Sequence, residues 1–285
     1  MQNGVANVKR LERWIFVSVR LFFYAKLFKK QMSVMKNTGL GMLTLLACLS
    51  TANAANLFNI KPGDVVNGEI QSGKQIYVLP AGDWQVVART LVQGADAHNA
   101  PFPIMNVMFA QIDHLRLVGL VRLIATQTDV PTSRGWKDDP CPPSMKETYF
   151  RNTFGSGYNF PECVYARPVL GFGSSGPYWG DVVRRVQESG VEFPPAMVYV
   201  DYQYFSGQGF VKLSAWLNPD IAGIDQDKTR LLLDSPWASG NLSGDKKVFV
   251  ASVRRWSEAM AYAVHRSYTG ETVAIPALPN RPAVQ

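Results

Sequence analysis

The sequence predicts an α+β fold: an antiparallel sheet of hairpins and meander, two main helices, and one long loop pinned by a disulfide. Three observations carry this. Short β-rich runs separated by turn residues precede the first helical pattern. A hairpin then separates that pattern from a second helical one. Two cysteines bracket a stretch rich in proline, glycine and aromatic residues. The order strands, helix, hairpin, helix belongs to α+β folds, not to sheets in which helices alternate with parallel strands.

Residues 75–79 and 84–92 are β-rich, and Pro80, Ala81, Gly82 and Asp83 between them read as the turn of a hairpin. Residues 104–112 and 115–126 read as two further strands. Their turn is expected at Asp113 and His114, which places His114 at a solvated tip. Val118, Val121 and Ile124 decide strand over helix for the second, because branched side chains fit a pleated surface better than a helical turn.

Residues 127–163 break the pattern. Pro131, Pro140, Pro142, Pro143 and Pro161, with Gly135, Gly155 and Gly157, argue against long regular elements. Trp136, Tyr149, Phe150, Phe154, Tyr158 and Phe160 supply apolar area that argues against disorder. The expectation is a crosslinked cover over the core of the sheet, with a lid as the functional alternative.

Pro168 is expected to interrupt the strand that follows. Gly176 then serves as N-cap of a helix and Pro177 as its first residue, where a missing N–H costs nothing. Trp179, Val182, Val183 and Val186 fall on one face of it, and Gly190 is the expected stop. The final helix starts near Asp245, buries a stripe of Phe249, Val253, Trp256, Met260 and Val264, and ends at Gly270. His265 is expected on its outer face with Glu258, Tyr262 and Arg266.

The hairpin between the helices is the most informative stretch. If Gly207 and Gln208 form a two-residue type II′ turn, Phe205 faces Phe210 and cross-strand partners sum to 415. One face then receives Val198, Val200, Tyr202 and Tyr204 opposite Leu217, Ala215, Leu213 and Val211. The other receives Tyr199, Asp201, Gln203 and Phe205 opposite Trp216, Ser214, Lys212 and Phe210. A one-residue slip would exchange the two faces, so the alternation pins the register. The apolar face is expected to meet the core. The mixed face (Tyr199, Asp201, Gln203, Lys212, Ser214 and Trp216) combines aromatic area with hydrogen-bonding groups and is the expected binding face. The competing expectation is that it is solvated, or covered by the last helix.

The amino-terminal segment reads as an address. Lys36 gives a positive start, residues 40–49 an apolar run of ten, and Ala52, Asn53 and Ala54 a small-residue cleavage site. Residues 35–54 are therefore read as a secretory signal peptide cut between Ala54 and Ala55. Residues 1–34 are read as an extension from a start assigned too early, with Met35 or Met32 as the true start. Residues 55–285 are read as a single exported α+β domain. Residues 14–23 offer a rival membrane anchor, but Arg20 interrupts a run already too short to span. Leu45, Leu46, Ala47 and Cys48 resemble a lipobox, which would make Cys48 a lipidated first residue.

Residues 1–54 hold eight of the 29 basic residues and one of the 22 acids, so residues 55–285 carry 21 of each and are neutral. A neutral domain gives no electrostatic case for nucleic acid or anionic lipid, and neither is expected as a partner. No run of about 18 uncharged apolar residues occurs there, so no transmembrane span is expected in the mature chain. Cys141 and Cys163 are the two cysteines left after the signal, and an oxidising compartment would pair them. Their spacing fits neither a redox motif nor a zinc site.

Gly171, Gly173 and Gly176 match G-x-G-x-x-G, but Pro177 deletes an N–H that a pyrophosphate would need, so no cofactor is expected. Some other anion at this helix start is the smaller alternative. A serine hydrolase would need Ser174 or Ser175 with His98, His114 or His265, yet no G-x-S-x-G elbow exists. Asp220, Asp225 and Asp227 lack the spacing and closing glutamate of a calcium loop, and Asp138 and Asp139 read as solvated acids, so no metal is expected. The expected function is non-enzymatic: binding of an unidentified ligand or envelope protein. An exported serine hydrolase and a lipid-anchored assembly factor are the alternatives.

Overall fold

In the computed structural model, residues 54–95, 101–126, 141, 147–155, 161–172, 176–224 and 234–279 are described. Nine strands among them form one sheet in the order β1-β2-β3-β4-β5-β9-β8-β7-β6. They are β1 (Ala55–Asn56), β2 (Val65–Ser72), β3 (Gln75–Ala95), β4 (Pro101–Asp113), β5 (Arg116–Thr126), β6 (Phe150–Gly155), β7 (Glu162–Leu170), β8 (Ala196–Ser206) and β9 (Gly209–Leu217). Two antiparallel meanders, β2 to β5 and β6 to β9, meet at the antiparallel pair β5–β9. Two α-helices and a short 3-10 helix (Pro219–Ala222) complete the described elements: α1 (Pro177–Glu188) lies between β7 and β8, and α2 (Gly244–Tyr268) after β9.

The expectation of α+β architecture holds in its coarse form, with more sheet than expected. The sheet is not wholly antiparallel: β1 pairs with β2 in parallel, Ala55 opposite Ile70. β1 and β2 carry no strong strand signal, being two residues long in one case and broken by Asn67 and Gly68 in the other.

Several local expectations are corrected. Pro80 to Asp83 do not reverse the chain. β3 runs straight through them, and β2 pairs with both halves, its register shifting between Asn67 and Glu69. The segment bulges instead, held by Trp84 Nε1 donating to the Pro80 carbonyl at 2.7 Å and by Gln111 Nε2 donating to the Ala81 carbonyl at 3.0 Å. The β4–β5 turn lies one residue later than expected, at His114 and Leu115, whose φ values of 47° and 58° suit a tight hairpin with both central residues left-handed. His114 is solvated at this tip, as expected.

Residues 127–163 are not patternless throughout, since Phe150–Gly155 forms the edge strand β6 on β7. Most of the remainder lies outside the described residues. Pro168 does not interrupt β7. Pairing with β6 stops at Ala166, so the side of β7 that a Pro168 N–H would serve has no partner strand.

α1 starts and stops as read, with Gly176 at the N-cap and Pro177 next, and Gly190 takes a φ of 74° beyond its end. In α2 the stripe of Phe249, Val253, Trp256, Met260 and Val264 is buried. At 1.5 Å per residue α2 is about 37 Å long, enough to reach from β3 to β8 and β7, all of which it packs against.

The β8–β9 register is the expected one: Tyr199 faces Trp216 and Phe205 faces Phe210. The loop is Gly207 and Gln208, but the positive φ sits at Gly209 (143°) and not at Gly207, so the turn is not type II′. Ser206 Oγ caps it instead, accepting from the Gln208 N–H at 3.0 Å. Val198, Val200, Tyr202, Leu217, Ala215, Leu213 and Val211 join the α2 stripe in the main core. α1 packs on the opposite face of the sheet, where Val182 and Val186 meet Val87, Met108, Leu120 and Met197. Among the described residues no helix is long and apolar enough to cross a membrane.

Candidate functional site

The mixed face of β8–β9 looks toward α1, and strand register extends it into a grid. Leu120, Trp216, Tyr199 and Arg167 form one row across β5, β9, β8 and β7. The next row is Arg122, Ser214, Asp201 and Tyr165, continued by Arg151 on β6. A third row holds Ile124, Lys212, Gln203 and Cys163. Directly paired residues point to one side of a sheet, so these side chains share a surface.

The middle of this surface is a closed polar cluster around Asp201, which is fully buried. Ser214 Oγ donates to its Oδ1 at 2.5 Å, and Gln203 Nε2 donates to its Oδ2 at 2.6 Å. Lys212 Nζ reaches the same Oδ2 at 2.9 Å. The carboxylate is thus paired and hydrogen-bonded, as a buried charge must be. Burial pushes the Tyr199 and Tyr165 phenols well up, and the negative charge of Asp201 adds to both shifts.

The disulfide belongs to this surface. Cys141 and Cys163 are bonded, with Cα atoms 6.0 Å apart. Because Cys163 shares a row with Gln203, the bond places Cys141 over the polar cluster. Arg151 Nη2 donates to the Cys141 carbonyl at 3.5 Å.

Beside the cluster the surface opens into a cavity of about 350 Å³ lined by Arg122, Arg167, Val169, Gly171, Phe172, Trp179, Tyr199 and Trp216. The first turn of α1 forms one wall. Tyr178 donates to Asn106 Oδ1 at 3.0 Å, and the same oxygen accepts from Arg122 Nε at 2.8 Å, which ties α1 to β4 and β5. Trp179 stands edge-on to Trp216 at 5.3 Å and to Phe172 at 5.3 Å. Phe172 also stacks on Phe193 at 4.4 Å. Tyr199 and Trp216 are 7% and 5% exposed, so they are packed residues that also line a cavity. The expected binding face therefore divides into three parts: the cavity at Tyr199 and Trp216, the closed cluster of Asp201, Gln203, Lys212 and Ser214, and a small apolar patch where Phe205 and Phe210 stack near Phe102.

Sequence reasoning missed Arg122 and Arg167. Each is an arginine inside a strand that is otherwise mostly apolar, and that signal is visible in the sequence. Val169, Phe172 and Trp179 come from neighbouring segments that only the fold brings to the hairpin.

The remaining candidates lie elsewhere. His265 is not on the outer face of its helix. Its Nδ1 lies 3.1 Å from Glu162 Oε1, which also accepts from Tyr202 OH at 2.7 Å, and its ring packs on Tyr204. The α2 helix turns this residue toward β7 and β8 on the sheet face opposite the cavity. Cys48, His98, Asp138, Asp139, Ser174, Ser175, Asp225 and Asp227 lie outside the described residues. Ala54 and Ala55 are described, and Ala55 opens β1. Among the described residues no group of three or more His, Cys, Asp or Glu side chains is placed to hold a metal ion. Neither a protein-family model nor a curated protein matches this chain.

Proposed function

We propose that this is an exported envelope protein that binds a ligand or partner group without transforming it, and that the cavity over Tyr199 and Trp216 is where it binds. The cavity carries the reading. Its volume of about 350 Å³ falls at the small end of the roughly 300–1,000 Å³ typical of ligand pockets, and it joins aromatic walls to a few polar groups. Export rests on the pattern of Lys36, residues 40–49 and Ala52, Asn53 and Ala54, and the Cys141–Cys163 bond suits an oxidising compartment. A mature chain starting at Ala55 keeps β1 and its pairing with Ile70.

Native mass spectrometry of the protein recovered from the envelope of its own cell tests both halves. The expected result is a chain beginning at Ala55 with a non-covalent adduct. A chain without any adduct contradicts binding. A mass that retains residues 35–54 contradicts export through this signal.

A further inference from the structure

Among the described residues, the cavity carries a charge that its surroundings leave uncompensated. Two of its lining residues are guanidinium groups and none is an acid. Arg122 spends Nε on a neutral amide, Asn106. Its Cζ lies 5.5 Å from the Tyr178 ring centre and 5.9 Å from that of Trp179. Arg167 sits 5.1 Å above the Tyr199 ring, and its Nε is buried with no hydrogen-bond partner. A guanidinium carries five N–H donors, so one held beside aromatic rings can still offer donors to a bound acceptor.

Among the described residues of these strand rows, the one acid does not answer either arginine. Asp201 has both carboxylate oxygens occupied by Lys212, Gln203 and Ser214. Among the described residues, no carboxylate forms an ion pair with Arg122 or Arg167. They reach the cavity from β5 and β7, on either flank of the Tyr199–Trp216 pair, three strand spacings (about 14 Å) across the sheet and one row apart along it. Planar donors on both sides of an aromatic floor match an oxyanion, which arginine grips in two-pronged fashion.

We propose that the cavity takes a small oxyanion, carboxylate or phosphate ester, carried on a flat ring. The oxyanion is held by Arg122 and Arg167, and the ring lies against Trp179, Phe172 and Trp216. The proposal rests on the cavity being the binding site.

The test uses the natively produced protein with its disulfide intact and three matched probes: 2-naphthoate, 2-naphthyl phosphate and the neutral 2-naphthamide. Calorimetric titration is expected to give at least one anion a roughly tenfold or greater preference over the amide, weakened by salt. The preferred anion identifies the carboxylate or the phosphate. Arg167→Met should weaken its binding roughly 10- to 100-fold, the size of a charged hydrogen bond. Arg167 makes no side-chain hydrogen bond among the described residues, so the fold of this variant is expected to persist. Arg122→Gln should act in the same direction, with its melting temperature measured alongside. Equal binding of anions and amide, or unchanged affinity in Arg167→Met, overturns the charge assignment while leaving the cavity a binding site. Failure of all three probes overturns the assignment as well, and an adduct retained in native mass spectrometry would then still support the cavity. A bare chain together with three silent probes removes both.

Discussion

The two faces of the β8–β9 hairpin come from the same strands and the same alternation, yet they are finished differently. Toward α2, Val198, Val200, Tyr202, Leu213 and Ala215 meet a 25-residue helix and close completely. Toward α1, among the described residues, a 12-residue helix covers one end. The rest holds a buried acid with its partners, a disulfide and a cavity with two arginines. A closed face is explained by burial of apolar area alone. A face that keeps charge and open volume must be stabilised by specific pairing, and that is where chemistry other than folding has room.

The contrast is sharpest in truncations. Phe249→Ala on the α2 side removes a fully buried ring and is expected to cost about 3–5 kcal/mol. Trp179→Ala, a half-buried ring already beside open volume, should cost only about 1–2 kcal/mol. Urea midpoints measured at constant m-value check both. Equal losses would mean that the α1 side is as tightly packed as the other.

Opening the disulfide by the pair Cys141→Ser and Cys163→Ser is expected to cost about 2–4 kcal/mol, from a closed loop with a sequence separation of 22. Hydrogen exchange should then quicken first in β6, β7 and β8 and last under α2. Uniform quickening would show that the bond does not serve the α1 face in particular.

Alkaline pH probes both faces together. Burial raises the phenols of Tyr165 and Tyr199 on one side and of Tyr77 and Tyr202 on the other. A folded-state value above that of the unfolded chain means that the unfolded chain releases its protons first. The stabilisation is complete below the unfolded tyrosine value near ~10 and is lost as pH rises toward the folded values. Urea midpoints should therefore fall steadily above pH ~10, with the buried phenols ionising only together with unfolding. Phenolate formation at Tyr165, Tyr199, Tyr77 or Tyr202 in a chain that stays folded, beyond the signal of exposed tyrosines such as Tyr262, would contradict the buried placement.

The smallest effect is expected at Arg167→Met. Its Nε has no partner among the described residues, and stability should stay within about 0.5 kcal/mol of the parent. A larger loss, read from the same urea midpoints, would make Arg167 a structural residue.

The hairpin register was fully legible in sequence because a two-residue loop leaves one pairing, and eight alternating partners sort cleanly into two faces. The helix ends were legible because Gly176, Pro177 and Gly190 are local signals. The bulge at Pro80 was not, because proline and glycine bend a long strand as readily as they reverse a chain, and the choice depends on β2 alongside. β6 was hidden by its polar sequence at a sheet edge. Half of the site was visible, in Tyr199 and Trp216. The other half depends on β5, β7 and the start of α1 arriving beside the hairpin, which periodicity within one segment does not encode.

The most direct test of the account fills the cavity. Val169 lines it from β7 and is only partly buried. In Val169→Trp, and in the smaller Val169→Phe, the added ring should occupy the open volume. Native mass spectrometry of either variant, produced in the original cell, is expected to show a folded chain stripped of the adduct that the parent retains. A filled variant that folds and still carries the adduct would place the ligand elsewhere and contradict the assignment of this cavity.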